Sequence, residues 1–291
     1  MTQLTVATTI DAVPVALPVE AGDESVRLGA ALWTLIRRRA ALSVHTPREL
    51  FVPLMTPVLF ALVIAPALDS IGPKVPGLDY LSFAAVGTAV LLIPLNCMFA
   101  GVGVITDRDT GARRDLLAAP VPRTVVVVAN LVVAFAITAL QTVVLLAAAV
   151  LRGADLHVSM SGIAWFATSA SLLAIAMYGV AEIVANRVSS VEEYIGLVPG
   201  LAIVPFFFAG SLFPISAMPA FLTAFAKLLP ITHALAVMRY GLLGSNSSGL
   251  RDIWGMSNPA LMASLSIGVV ALFAAVLTLA AMRVFTRSAI S

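Results

Sequence analysis

Long stretches without a single charge alternate with short polar clusters along this chain. Uncharged runs cover 50–68, 80–106, 124–151, 156–181, 194–226 and 253–282. Crossing the hydrocarbon core as a helix takes about 20 apolar residues, so the pattern predicts six spans. The shortest run, LFVPLMTPVLFALVIAPAL, carries Pro53, Pro57 and Pro66. Proline is tolerated in such helices where neighbours satisfy the freed carbonyls. The fifth run is too long for one upright crossing, and Pro214, Pro219 and Pro230 cut its continuation into short pieces. A seventh span over 220–243 would bring Lys227 and Arg239 into the bilayer, at roughly 2.5–3.5 kcal/mol each near the centre. Half-helices dipping in from one face cost less. The expected fold is therefore an all-α membrane protein with six transmembrane helices and re-entrant half-helices between spans five and six.

Ahead of the first run, the stretch SVRLGAALWTLIRRRAALSVHTPREL sets Leu28, Leu32, Leu35 and Ile36 on one helical face, with Trp33 beside them and Arg37, Arg38 and Arg39 following. This pattern predicts an N-terminal amphipathic helix lying at the headgroup level. Residues 1–24 contain Pro14, Pro18 and the acids Asp11, Glu20, Asp23 and Glu24. They lack the basic start and apolar core of a signal peptide and read as a disordered cytoplasmic tail, leaving 25–291 as one transmembrane domain.

Composition sharpens this picture. Hydrophobic residues make up 60% of the chain and charged ones 11%, against about 25% charged in a soluble domain. A net charge of +2 gives no reason to expect nucleic acid. With both termini inside, twelve basic residues face the cytoplasm and five (Lys74, Arg152, Lys227, Arg239 and Arg251) face out, which is the positive-inside bias of a plasma-membrane protein. The single cysteine, Cys97, excludes an intramolecular disulfide.

Candidate chemistry is sparse. His45, His157 and His233 belong to different segments, and no three or four ligands converge as a metal site requires. Glu182, at the inner end of the fourth run, is the one candidate intramembrane acid; Asn186, four residues on, shares its helix face. Asn96, Gln141 and Thr168 are isolated polar residues in apolar runs and read as interhelical hydrogen bonds. No GxxxxGK[ST] phosphate loop occurs. An ATP-driven process would need a separate hydrolysing chain.

The densest cluster of charge is ITDRDTGARRDLLAAPVPRT, residues 105–124. Its Asp107, Arg108, Asp109, Gly111, Leu116, Leu117, Pro120 and Arg123 resemble the cytoplasmic loop of type-2 ABC exporter permeases, where the usual acids are glutamates. A second stretch, FFFAGSLFPISAMPAFLTAFAKLLPITHALAVMRYGLLG, resembles the region after the fifth span of that family, through Phe208, Ala209, Gly210, Phe213, Pro214, Pro219, Pro230 and Arg239.

The resemblance implies a bacterial inner-membrane exporter subunit for a drug, lipid or glycolipid, with ATP and Mg bound by two copies of an ABC ATPase and none by this chain. It implies a second permease copy or paralogue, and coupling to the ATPase through Asp107, Arg108, Asp109, Gly111, Arg113, Arg114, Asp115, Leu116 and Leu117. It places Asn96, Phe99, Phe206, Phe207 and Phe208 along the pathway, and Phe213, Pro214, Pro219, Pro230 and Arg239 in an exit lid. Two other readings stay open: an ion-coupled secondary transporter using Glu182, and a non-transporting membrane scaffold.

Overall fold

Among the described residues, five helices are long and apolar enough to cross a membrane: α2 (Tyr80–Asp109), α3 (Arg123–Leu151), α4 (Met160–Ala185), α5 (Val191–Phe208) and α9 (Pro259–Ser288). The computed structural model describes residues 24–45, 79–112, 122–245 and 249–288, together with Met55, Val58, Leu59, Leu62 and Val63. The expected first span at 50–68 and the tail at 1–23 lie largely outside the described residues. Val58, from that run, packs on Ala89, Leu92 and Leu145. Among the described residues there is no strand.

Of these helices, α2 is the hub. From Leu81 to Met98 every side chain is buried, and α3, α4, the π turn of α5 and the segment Pro230–Leu243 all pack on it. A helix that is apolar all round belongs in the interior of such a bundle. In contrast, α3 and α9 keep one face outward, with Leu140, Val143, Leu272 and Leu279 all more than half exposed. Apolar outward faces are what a helix in lipid presents, so close backbone approach must hold the bundle together. At the crossing of α4 with Pro230–Leu243, a Cβ on Gly162 would collide with the Gly241 carbonyl, and one on Gly241 with that of Gly162. Gly179 lies close to Leu277 of α9, though less tightly, with about 3.0 Å left for a Cβ.

The fifth run divides as its prolines dictate. Pro199 and Pro205 each lack an N–H, and between them the chain relaxes into a π turn, Pro199–Ile203, in which the Val204 amide reaches back to the Pro199 carbonyl. The helix stops at Phe208, well short of residue 226. Gly210 follows with φ of 80°, the left-handed region that favours glycine. Beyond it come α6 (Ala220–Ala226) and α7 (Pro230–Leu243), meeting at 81°, and the short α8 (Leu250–Trp254).

Both ends of this segment sit at the end of the bundle where α2 begins. Arg239 of α7 bonds the carbonyls of Ser211 and of Phe83, the latter in the first turns of α2. The Leu242 carbonyl accepts from the His157 amide at 2.8 Å. Between those points the Ser169 hydroxyl donates to the Ala234 carbonyl at 2.9 Å. That contact is about 14 Å down α4 from Met160 at 1.5 Å per residue.

The N-terminal helix, α1 (Glu24–His45), packs chiefly on α3. Leu28 and Leu32 line one cavity with Pro122, Val125 and Val128, and Arg39 and Ser43 line another with Asn130 and Ala134. The apolar face expected at the headgroups thus lies partly against a helix of the same chain, with Trp33 left 66% exposed.

Replacing Gly241 by Val should force α4 and α7 apart. Overpacking of this kind costs about 1–3 kcal/mol, and a lowered melting temperature of the purified protein in detergent measures it, with Gly268→Val, at an exposed helical glycine that has open space for a side chain, as the comparison.

Candidate functional site

The charged end of the bundle is built from the last two turns of α2. Asp107 pairs with Arg38 of α1 at 2.8 Å. Arg108 pairs with the neighbouring Asp109 at 3.0 Å and reaches across the bundle. Its guanidinium donates to the carbonyls of Val188 at 2.9 Å, Ser189 at 3.1 Å and Ala185 at 3.4 Å. Those carbonyls follow the end of α4, where the last turn of a helix has no acceptor partners of its own and carries partial negative charge. The adjacent turn is fixed by a cap. Ser190 accepts from the Glu193 amide, and Glu193 accepts from the amide and hydroxyl of Ser189 at 2.9 and 2.8 Å.

One layer deeper, Tyr194 is fully buried and donates its hydroxyl to the Met98 carbonyl at 2.8 Å. Its ring occupies the space that any side chain at residue 101 would need, so Gly101 is required there. Glu182, 2% exposed, accepts from the Tyr178 hydroxyl at 2.8 Å and from the Asn186 amide at 3.1 Å. Asn96 donates to the Gln141 side chain at 2.6 Å, so two residues that looked isolated in the sequence satisfy each other across α2 and α3.

The residues of the charged loop itself, Arg113, Arg114, Asp115, Leu116 and Leu117, lie outside the described residues. The Asp-Arg-Asp triplet that introduces the loop is described. Two of its three charges are directed into the chain, to α1 and to the α4–α5 turn, whereas Asp109 is half exposed. Gly111 has φ of 80°, turning the backbone out of α2.

At the opposite end Arg239, 3% exposed, donates to the carbonyls of Gly210 at 2.8 Å, Ser211 at 2.7 Å and Phe83 at 3.2 Å. It also stacks over the Phe83 ring at 3.4 Å. These carbonyls belong to backbone that leaves helix at Phe208, and the fork of the guanidinium supplies the donors that the helix no longer does. Nearby, the Trp254 indole donates to the Ser266 hydroxyl at 2.8 Å, and that hydroxyl faces Nδ1 of His233 at 3.2 Å. His233 Nε2 faces the Lys227 carbonyl at 2.9 Å. A carbonyl only accepts, so Nε2 carries a proton and donates to it. The ring clasps the α6–α7 turn to α9.

The family described as ABC-2 type transporter matches residues 30–243. This chain belongs to the ABC-2 type transporter family. A search of curated proteins finds no match to it. As an ABC-2 type transporter, the chain is a membrane component rather than a catalytic ATPase, and its family works with an ABC ATPase. Among the described residues no group of three or more His, Cys, Asp or Glu is placed to hold a metal ion.

Within this ABC-2 type transporter the pathway candidates divide. Phe206 is buried in the core, Phe207 is 49% exposed, and Phe208 makes an edge contact with Phe225 of α6. Asn96 is buried against Gln141, and Phe99 borders a cavity beside Arg39. Of the lid candidates, Phe213, Pro214 and Pro219 are exposed and Pro230 is half-buried, while Arg239 is the buried anchor beneath them. Sequence reasoning missed Arg39 as a buried residue. The signal was present: Arg39 falls seven positions after Leu32 and eleven after Leu28, on the same helix face.

Arg108→Gln should remove charge-assisted bonds to three carbonyls. Each such bond is worth about 1.5–3 kcal/mol when buried, less at this half-exposed site, so a melting temperature lowered by a few degrees is expected. Arg239→Gln should destabilise more, because its partners are fully buried. Thermal melts of the two variants side by side check the order.

Proposed function

We propose that this chain is the permease subunit of an ATP-driven exporter that moves a hydrophobic or amphipathic molecule, a drug, lipid or glycolipid, across the bacterial plasma membrane. The family match supports the transporter class. The observation that carries the mechanism is the wiring of the charged end. Asp107 is tied to α1 and Arg108 to the α4–α5 turn, so a force applied to the loop at 110–122 reaches α1, α2, α4 and α5 together. In this reading that end faces the cytoplasm with both termini. Two permease copies, or one with a paralogue, stand above two ATPase subunits, and ATP-driven closure of the ATPase pushes on the loop.

At the far end α6 and α7 form re-entrant half-helices, with Phe213, Pro214, Pro219 and Pro230 as the outward surface of an exit lid. Arg239 fixes the lid to the first turns of α2, so motion of α2 is delivered to the exit. The outward Phe207 on α5 suits a greasy pathway or a partner permease. Glu182 is held by Tyr178 and Asn186, which supports a packing role over ion coupling.

Reversing charge at Arg113 and Arg114 in the reconstituted permease–ATPase complex should abolish cargo-stimulated ATP hydrolysis while leaving membrane insertion and the melting temperature intact. Unchanged stimulation in that variant contradicts the coupling assignment.

A further inference from the structure

A cavity of about 30 Å³ lies between α1, α2 and α3, partly open, and lined on its polar side by Arg39, Ser43, Asn96 and Asn130 with Phe99 and Ile137 opposite. By volume it holds about two waters. Arg39 is 8% exposed, and the hydrogen bond described for it is a long one, 3.2 Å to the Ala100 carbonyl. A guanidinium has five N–H donors, and a buried cation is costly without compensation. Asp107, the acid nearest in sequence to its partner segment, is taken by Arg38. Glu182 is held by Tyr178 and Asn186. No carboxylate lines the cavity.

The guanidinium is also held in place. It lies directly over Gly103, where any Cβ would overlap it, so the absence of a side chain at 103 makes its position possible. Asn130 stands about 10 Å along α3 from its first residue, Arg123, at 1.5 Å per residue. On the α3 side Ile137 continues the wall away from the charged end, offering an apolar surface to a chain attached to whatever sits at Arg39.

We propose that the Arg39–Ser43–Asn130 pocket binds the anionic head of an amphiphile, a phosphate or carboxylate whose oxygens enter the cavity and whose chain runs past Phe99 and Ile137. Planar bidentate recognition by Arg is the chemistry for such groups, and a cationic or sugar head gains nothing from it. The ligand is either the cargo itself or a lipid of the surrounding leaflet. The pocket chemistry is independent of the transporter reading; only the cargo source rests on it.

The test is titration of dodecyl phosphate, with dodecyltrimethylammonium as the cationic comparison, into the permease–ATPase complex in phosphatidylcholine nanodiscs, followed by calorimetry. The wild type should bind the phosphate and not the ammonium, and Arg39→Gln should weaken phosphate binding about tenfold to hundredfold. Ser43→Ala removes one donor and leaves the cation; a loss of about twofold to tenfold is expected, and this variant decides the matter if Arg39→Gln does not fold. Competition by phosphatidylglycerol in the nanodisc identifies a leaflet lipid as the natural ligand. Release of dodecyl phosphate on vanadate trapping, without such competition, identifies cargo. Either source supports the pocket. Equal phosphate binding by wild type and both variants, or ammonium binding as tight as phosphate, overturns it. Copurification of the ATPase and its basal turnover are read separately, so a failed pocket and a failed transporter assignment give different results.

Discussion

The structure depends on arginine bound to backbone carbonyl. In a bilayer-spanning bundle every carbonyl that leaves a helix must find a donor inside the protein, because the hydrocarbon offers none. This chain meets that demand at both ends of α2. Arg239 serves the carbonyls released after Phe208, and Arg108 serves the residues that follow α4. An arginine near the bilayer centre costs roughly 2.5–3.5 kcal/mol. That cost is offset where one guanidinium satisfies several carbonyls and ties two separated segments together.

A consequence is mechanical. Because α2 is buried from Leu81 to Met98, it has no free face there on which to slide, and both its ends are tied to other elements of the chain. At one end lie α1 and the α4–α5 turn, at the other the segment 209–243. The small-residue crossings at Gly162 with Gly241 and Gly179 with Leu277 keep α4 in register with the same elements. An ABC-2 type transporter built this way is suited to pass displacement along one central helix rather than through a chain of loosely packed side chains.

Much of this was legible in the sequence. The uncharged runs located α2, α3 and α4 to within about four residues and α9 to within six, whereas the fifth run overshot the helix end at Phe208 by 18 residues; the prolines at 214, 219 and 230 marked the broken segment that follows. Glu182 and Asn186, four apart, do share a hydrogen bond, and Asn96 and Gln141 do bond between helices. Other features have no local signature. Apolar periodicity does not distinguish a helix facing lipid from one enclosed by protein, so α2 looked like any other span. Arg108 meets Val188 across 80 residues of chain, and nothing within the triplet indicates that its central charge turns inward. The triplet therefore looked wholly like a docking surface, although two of its charges are spent on the chain's own architecture. The π turn at Pro199–Ile203 arises from two prolines acting jointly, which a count of helix-compatible residues does not register.

The central claim is that the charged end of α2 and the α4–α5 turn form one mechanical unit. Spin labels at positions 110 and 187, both exposed, in a background with Cys97 replaced by alanine, measure it directly by pulsed electron resonance in the complex with its ATPase. The account predicts the same narrow distance distribution with and without trapped nucleotide, and a broadened one once Arg108 is replaced by glutamine. A distance that shifts on trapping in the otherwise unaltered protein would contradict it.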